Sequence, residues 1–179
     1  IKSLFTVLVL IPLIFFAAYQ SSPQFQQRVD IAVNQTMNYG VDNNIDGSIG
    51  QRITYARNSW DVIKENPIIG IGTGDFPSEY KKINQINTNH MLPTTNPHNM
   101  FVLIAMQLGL IGLVSMLSIF YYQIKLSFNA SNRLIKDLGI ALPLMFLVIM
   151  WSDSYILGHF TTLVFVFFSS FLYKDFEET

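Results

Sequence analysis

Apolar residues in this chain are gathered into blocks from which charge is excluded, with the polar residues gathered between them. Ser3 to Tyr19 (SLFTVLVLIPLIFFAAY) is uncharged and is about long enough for a bilayer core that takes roughly 17–25 helical residues. A cleaved signal peptide is the competing reading, supported by the Ala17-Ala18-Tyr19 end, although a signal core is ordinarily only about 7–15 residues. Met100 to Tyr122 is a second uncharged block and predicts the strongest span. Leu138 to Tyr173 predicts a hairpin of two more, turning at Trp151-Ser152-Asp153-Ser154, with Pro143 expected to kink or tilt its first arm. One long broken span is the alternative there.

The polar stretches orient these blocks, because Lys and Arg near span ends tend to remain cytoplasmic. Lys2 before the first block and Lys125, Arg133 and Lys136 after the second place those ends inside. Residues 21–97 and the Ser152 to Ser154 turn then lie outside, in the periplasm of a Gram-negative cell, and Lys174 returns to the cytoplasm. The predicted fold is all-α, a polytopic helical membrane protein fragment of about four spans with a large, partly helical periplasmic loop. Its predicted parts are a span in 1–20, the loop 21–97, a span in 98–124, a cytoplasmic loop 125–137, a membrane hairpin 138–173 and a cytoplasmic tail 174–179. Within the outer loop Ser48 and Gln51 read as a capping box, and Ile53, Ala56, Trp60 and Ile63 recur at helical spacing. That predicts a helix near 50–65, stopped by Asn66-Pro67 and preceded by turn chemistry from Gly40 to Gly50.

Composition narrows the classes. The 179 residues fit one domain, and the charged share of 13% is far below the roughly 25% of soluble domains. The 11 Lys+Arg against 12 Asp+Glu leave no basic surplus for phosphate neutralisation, so nucleic acid is not an expected partner. With Cys 0 there are no disulfides, thiolate metal sites or Cys nucleophiles. Ile1 is not a natural start, and the chain reads as a fragment of something longer.

Candidate chemistry concentrates where the outer loop re-enters the membrane. Asn96 suits an N-cap and Pro97 the first helical position, which predicts His98 and Asn99 in the first turn of the second span. There the helix N-terminus disfavours imidazolium and its free N–H groups favour an anion such as phosphate. Val102, Ala105, Gly109, Gly112 and Met116 would continue the face of His98 as a stripe that lets another helix pack closely. A purely interfacial polar role is the plain alternative for His98. Arg52 and Arg57 stand about 140° apart on the outer helix, and a guanidinium is suited to a diphosphate. Arg57 is otherwise an i,i+4 partner for Asp61. Gly70, Gly72 and Gly74 follow a helix rather than a strand and lack a Walker lysine, so they predict a tight turn and not a nucleotide site. Lys81 and Lys82 are expected to be solvated. Asp153, an acid close to the bilayer, is either functional or a hydrated turn residue, and His159 is a weaker candidate of the same region. His90, His98 and His159 show no metal-ligand spacing.

Two segments together carry a resemblance. One is Gln51-Arg52-Ile-Thr-Tyr-Ala-Arg57-Asn-Ser-Trp60 with Asn66-Pro67-Ile-Ile-Gly70-Ile-Gly72-Thr-Gly74-Asp-Phe76; the other is His98-Asn99, nine residues, then Gly109-Leu-Ile-Gly112. With the large outer loop and a terminal hairpin bearing an acid at its outer turn, they resemble the O-antigen ligases of the Wzy_C superfamily over roughly residues 50–175. The resemblance implies a metal-independent, cofactor-free, inverting glycosyltransferase of the bacterial inner membrane with a periplasmic active face. Such an enzyme transfers glycan from an undecaprenyl-diphosphate-linked donor to a lipid A-core acceptor. His98 would be the catalytic base and Arg52 the catalytic cation, with Arg57, Asn99 and Asp153 in substrate binding. A polysaccharide polymerase or protein O-oligosaccharyltransferase differs only in acceptor. A transporter or non-catalytic scaffold is the reading from another class, disfavoured because the polar candidates cluster outside and only Gln107 lies deep in the second block.

Overall fold

A computed structural model describes residues 2–39 and 47–173, and among them the regular structure is entirely helical. Residues 40–46 of the expected turn and the tail at 174–179 lie outside the described residues. The chain divides into two compact units, residues 1–54 and 55–179.

The first unit holds α1 (Lys2–Ser21), α2 (Pro23–Met37) and the opening turns of α3 (Ser48–Glu65). Ser22 separates α1 from α2 by an ordinary helix start: its Oγ accepts the Phe25 N–H at 3.3 Å and Pro23 occupies the first turn. The two helices pack through Phe15 on Phe25, ring centroids 5.3 Å apart, and through the Tyr19 hydroxyl donating to Asp30 at 2.7 Å. Gln35 accepts the Ile49 N–H at 3.3 Å, and the Tyr39 and Thr54 hydroxyls meet at 3.0 Å, tying α2 to the start of α3. That start is one residue earlier than the capping box implies, with the Gly47 carbonyl accepting from the Gln51 N–H.

The second unit contains the rest of α3, then α4 (Phe76–Asn87), α5 (Met100–Phe128), α6 (Arg133–Ile149), a 3-10 turn at Tyr155–Leu157 and α7 (His159–Leu172). α3 stops at Glu65, directly before Asn66-Pro67. Its inner face differs from the apolar one predicted. Asn58, Ser59 and Val62 are buried, whereas Ile63 and Ala56 are half-buried and Trp60 is 59% exposed. The reason is that α4 and its C-terminal residue present polar partners. Asn58 Nδ2 donates to the Tyr80 hydroxyl at 3.3 Å and to Thr88 Oγ1 at 2.8 Å, and Asn87 donates to Asn58 Oδ1 at 3.2 Å. A buried amide satisfied this way costs little, so polarity does not keep it outside.

α5 is interrupted at Gly109, whose φ of 62° and ψ of −155° are not helical. The interruption frees the carbonyls of Met106 and Gln107 and the amides of Leu110 and Ile111, and all four are paired with the loop after α3. Ile71 and Gly72 N–H donate to Met106 and Gln107 at 3.0 and 2.9 Å, while Leu110 and Ile111 N–H donate to Pro67 and Ile68 carbonyls at 2.9 and 3.2 Å. The close approach needs glycine on both sides: a Cβ at Gly70 would lie 2.4 Å from the Gln107 carbonyl carbon, and one at Gly109 would lie 2.4 Å from that of Ile68. At Gly109, therefore, the predicted small-residue stripe receives a loop rather than a neighbouring helix.

Beyond the break, α5 packs with α6 and α7 through Phe165, which lies 5.6 Å from Phe120 and 4.8 Å from Phe146. Gln123 Nε2 donates to Ser169 Oγ at 2.9 Å and the Tyr173 hydroxyl to the Gly139 carbonyl at 2.8 Å, closing the far end. α6 runs through Pro143 without interruption. Asn132 caps α6 by accepting the Leu134 N–H at 2.8 Å, so the irregular connection is only residues 129–132. Among the described residues α5 is the one helix long and apolar enough to cross a membrane, and Val9–Ser21 and α7 are shorter apolar helices.

Candidate active site

Asn96-Pro97-His98 enters α5 as a turn and not as helix, which corrects the predicted register. The N-cap is Asn99, whose Oδ1 accepts the Val102 N–H at 3.1 Å. Asn96 cannot serve because its Oδ1 already accepts the His98 N–H at 2.9 Å, an Asx turn, and the Ser154 hydroxyl at 2.7 Å. His98 has a φ of 52°. That left-handed conformation costs an ordinary residue about 1–2 kcal/mol, and His is among the side chains that tolerate it better. With His98 outside the helix and Gly109 breaking it, the face predicted from His98 to Met116 is not continuous.

The turn is laced to the segment following α6. Met100 N–H donates to the Met150 carbonyl at 2.9 Å, and Asn99 Nδ2 donates to the Trp151 carbonyl at 3.2 Å. Against this frame His98 Nδ1 stands 3.2 Å from Asp153 Oδ1. The same carboxylate oxygen accepts the Ser154 N–H at 2.7 Å, which holds it in place. With Asp153 accepting, a neutral imidazole carries its proton on Nδ1 and presents the Nε2 lone pair elsewhere. The His98 and Asp153 side chains are 40% and 38% exposed, so a solute can reach the pair. The Tyr55 ring lies 6.3 Å from that of His98, between centroids. Beside the pair is an open cavity of about 400 Å³ whose lining includes Asn96, Asp153, Tyr155, His159 and Phe160.

The remaining candidates fall elsewhere. Arg57 is exposed and forms no ion pair among the described residues; Asp61 pairs instead with Lys64 at 2.8 Å and accepts from Asn87 at 2.9 Å. The Lys64 contact holds the Asp61 carboxyl below its usual range against a smaller desolvation cost, with Asn87 assisting and Arg57 the least of the influences. Arg52 is exposed on the opening turns of α3 and also forms no ion pair among the described residues. The hydrogen bonds that hold His98 and Asp153 involve neither arginine. Lys82 pairs with Glu79, both Lys81 and Lys82 are exposed, and so is His90. Gly70, Gly72 and Gly74 all have positive φ and make the turn between α3 and α4.

Sequence reasoning did not single out Asn96 as an Asx residue, Ser154 as its donor, or Tyr55. Asn before Pro was a usable signal for the turn. Nothing local announces Ser154 or Tyr55, which matter only through packing.

Known proteins match this chain. The family described as O-antigen ligase (Wzy_C) matches residues 1–117, which include α3, the glycine turn, His98 and Gly109 but not Asp153. An uncharacterized protein of Haemophilus influenzae is 29% identical over 151 residues, covering 78% of this chain and 37% of that protein. The chain thus spans well under half the length of that relative.

Proposed function

Because the chain belongs to the O-antigen ligase (Wzy_C) family, we propose that it is part of a membrane glycosyltransferase in which His98 is the general base. The supporting observation is the His98–Asp153 contact at 3.2 Å, which leaves Nε2 to act as the basic nitrogen. Nε2 takes the proton of an acceptor sugar hydroxyl. That oxygen bonds to the anomeric carbon of the donor as the bond from this carbon to the diphosphate oxygen breaks, and the diphosphate leaves with the electron pair. One direct displacement inverts the anomeric centre. The donor in this reading is an undecaprenyl-diphosphate-linked glycan and the acceptor a lipid A-core sugar, at the periplasmic face of the inner membrane. The residues present require no metal or other cofactor for these steps.

The cation for the leaving diphosphate is Arg52, with Arg57 the lesser candidate. One amide hydrogen of Asn99 is given to Trp151, leaving the other for a substrate oxygen. α1, α5, α6 and α7 are the proposed spans. The segment of α5 after its break is about 28 Å long at 1.5 Å per residue, close to the roughly 30 Å of a hydrocarbon core. Lys125, Arg133 and Lys136 around the α5–α6 connection support its cytoplasmic placement.

His98→Ala in the full-length protein is expected to lower glycan transfer at least about 100-fold while membrane insertion is unchanged. Near-normal transfer by that variant removes the base from the scheme. The lipopolysaccharide of a deletion strain identifies the acceptor: core without polymer supports the ligase, and core carrying one repeat makes the enzyme a polymerase.

A further inference from the structure

The loop that pairs with the break in α5 has a surface that the chemistry at His98 does not use. Ile68 and Ile69, at its tip, are 60% and 70% exposed. No charged residue stands between Glu65 and Asp75, although charge is frequent on both sides of that interval. Two adjacent bare isoleucines at a loop tip are unusual for a segment bathed in water, where turn tips are ordinarily polar.

We propose that this tip is inserted among the acyl chains of the outer leaflet, as a re-entrant hydrophobic anchor bonded to α5 at Gly109. The proposal rests on the reading of α5 as a membrane span. Irregular backbone is tolerated at hydrocarbon depth where its polar groups are paired within the protein, and here the Asn66, Pro67 and Ile68 carbonyls and the Gly70, Ile71 and Gly72 N–H groups are. Asn66 carbonyl accepts from Gly70 N–H at 3.0 Å, Pro67 and Ile68 carbonyls accept from Leu110 and Ile111, and Ile71 and Gly72 N–H donate to Met106 and Gln107. Pro67 brings no N–H of its own.

Lipid is the occupant indicated by continuity with α5. From Met100 to Gly109 every residue is buried or half-buried, and the exposed apolar face begins at Leu110. Leu110, Ile111 and Val114 are 58%, 57% and 58% exposed. Since Ile68 is bonded to Ile111, the tip adjoins the upper edge of that face. A bilayer covering one covers the other.

The full-length protein, with any cysteine outside this cysteine-free region replaced, can carry a single label. Ile69→Cys is compared with Gln85→Cys on α4 and with Leu117→Cys and Leu163→Cys on α5 and α7, each bearing an environment-sensitive nitrobenzoxadiazole. The proteins are reconstituted in phosphatidylcholine vesicles containing lipids brominated at shallow or deep acyl positions. The label at 69 is expected to emit to the blue, to be quenched by the shallow bromolipid more than by the deep one, and to resist aqueous iodide; the label at 85 should yield to iodide alone. Iodide quenching at 69 equal to that at 85 overturns the proposal. So does blue emission at 69 that neither quencher touches, which would mean that other parts of the full-length protein cover the tip. If neither 117 nor 163 is quenched by any bromolipid, the membrane reading of these helices fails and the anchor fails with it, whereas the activity of His98→Ala answers separately for the chemistry.

Discussion

At His98 the backbone and the side chain are held by different neighbours. Pro97 and the Asn96 carboxamide set the turn, and Asp153 orients the ring. Asp153→Asn keeps the size of that neighbour and removes its charge, so in the proposed scheme the imidazolium formed during transfer loses its stabilisation. We expect kcat to fall about 100-fold with KM for donor little changed, measured in reconstituted full-length protein. A fall confined to KM would instead make Asp153 a substrate contact. In the proposed scheme His98 and Asp153 act as one unit, so losses from His98→Ala and Asp153→Asn should not add. Asp61 offers a residue-scale test of stability. Its carboxyl is held below the usual range by Lys64, so its contribution is present above the unfolded carboxylate value of about 3.9 and disappears as pH falls through the lower folded value. Asp61→Asn should therefore melt slightly below the parent at pH 7, by a few tenths of a kcal/mol, and the difference should vanish in strong acid.

Among the elements, the break in α5 is the joint on which the outer part of the second unit depends. A side chain at Gly70 or Gly109 meets backbone at 2.4 Å and must also adopt positive φ. Overpacking costs about 1–3 kcal/mol and the left-handed backbone about 1–2 kcal/mol, so Gly70→Ala and Gly109→Ala should each lower stability by several kcal/mol. Gly74 also has positive φ, but a Cβ there meets nothing within 4 Å. Gly74→Ala should cost only the backbone part, about 1–2 kcal/mol. Thermal unfolding in detergent ranks the three; equal losses would mean that the loop does not press on α5. The motif spacing in the sequence marked both glycine groups, yet it assigned them to a turn and to a helix-packing stripe. Each glycine's own neighbours cannot reveal that the two groups touch each other. Asn66-Pro67 did mark the end of α3 legibly, because caps and proline act within one turn of the residue that bears them.

For the whole molecule, orientation is the property most open to direct test. Asn89, after α4, and Asn129, between α5 and α6, are both exposed. With single cysteines at these positions, an impermeant maleimide should label residue 89 in intact spheroplasts and residue 129 only after lysis. The reverse pattern would put His98 on the cytoplasmic side and end the proposed chemistry.

By itself the sequence determined the helical class, the apolar blocks and the helix near 50–65. These follow from periodicity, capping and hydropathy, all local properties. Tertiary structure alone decided that Asn99 rather than Asn96 caps α5, that Asp153 meets His98 across 55 positions, and that α5 opens at Gly109 to receive Pro67–Gly72. A side-chain oxygen can satisfy a local N–H or a distant one, and a helical amide can pair within its helix or outside it. Which partner wins depends on what packing brings within about 3 Å, and that information resides in residues far away along the chain.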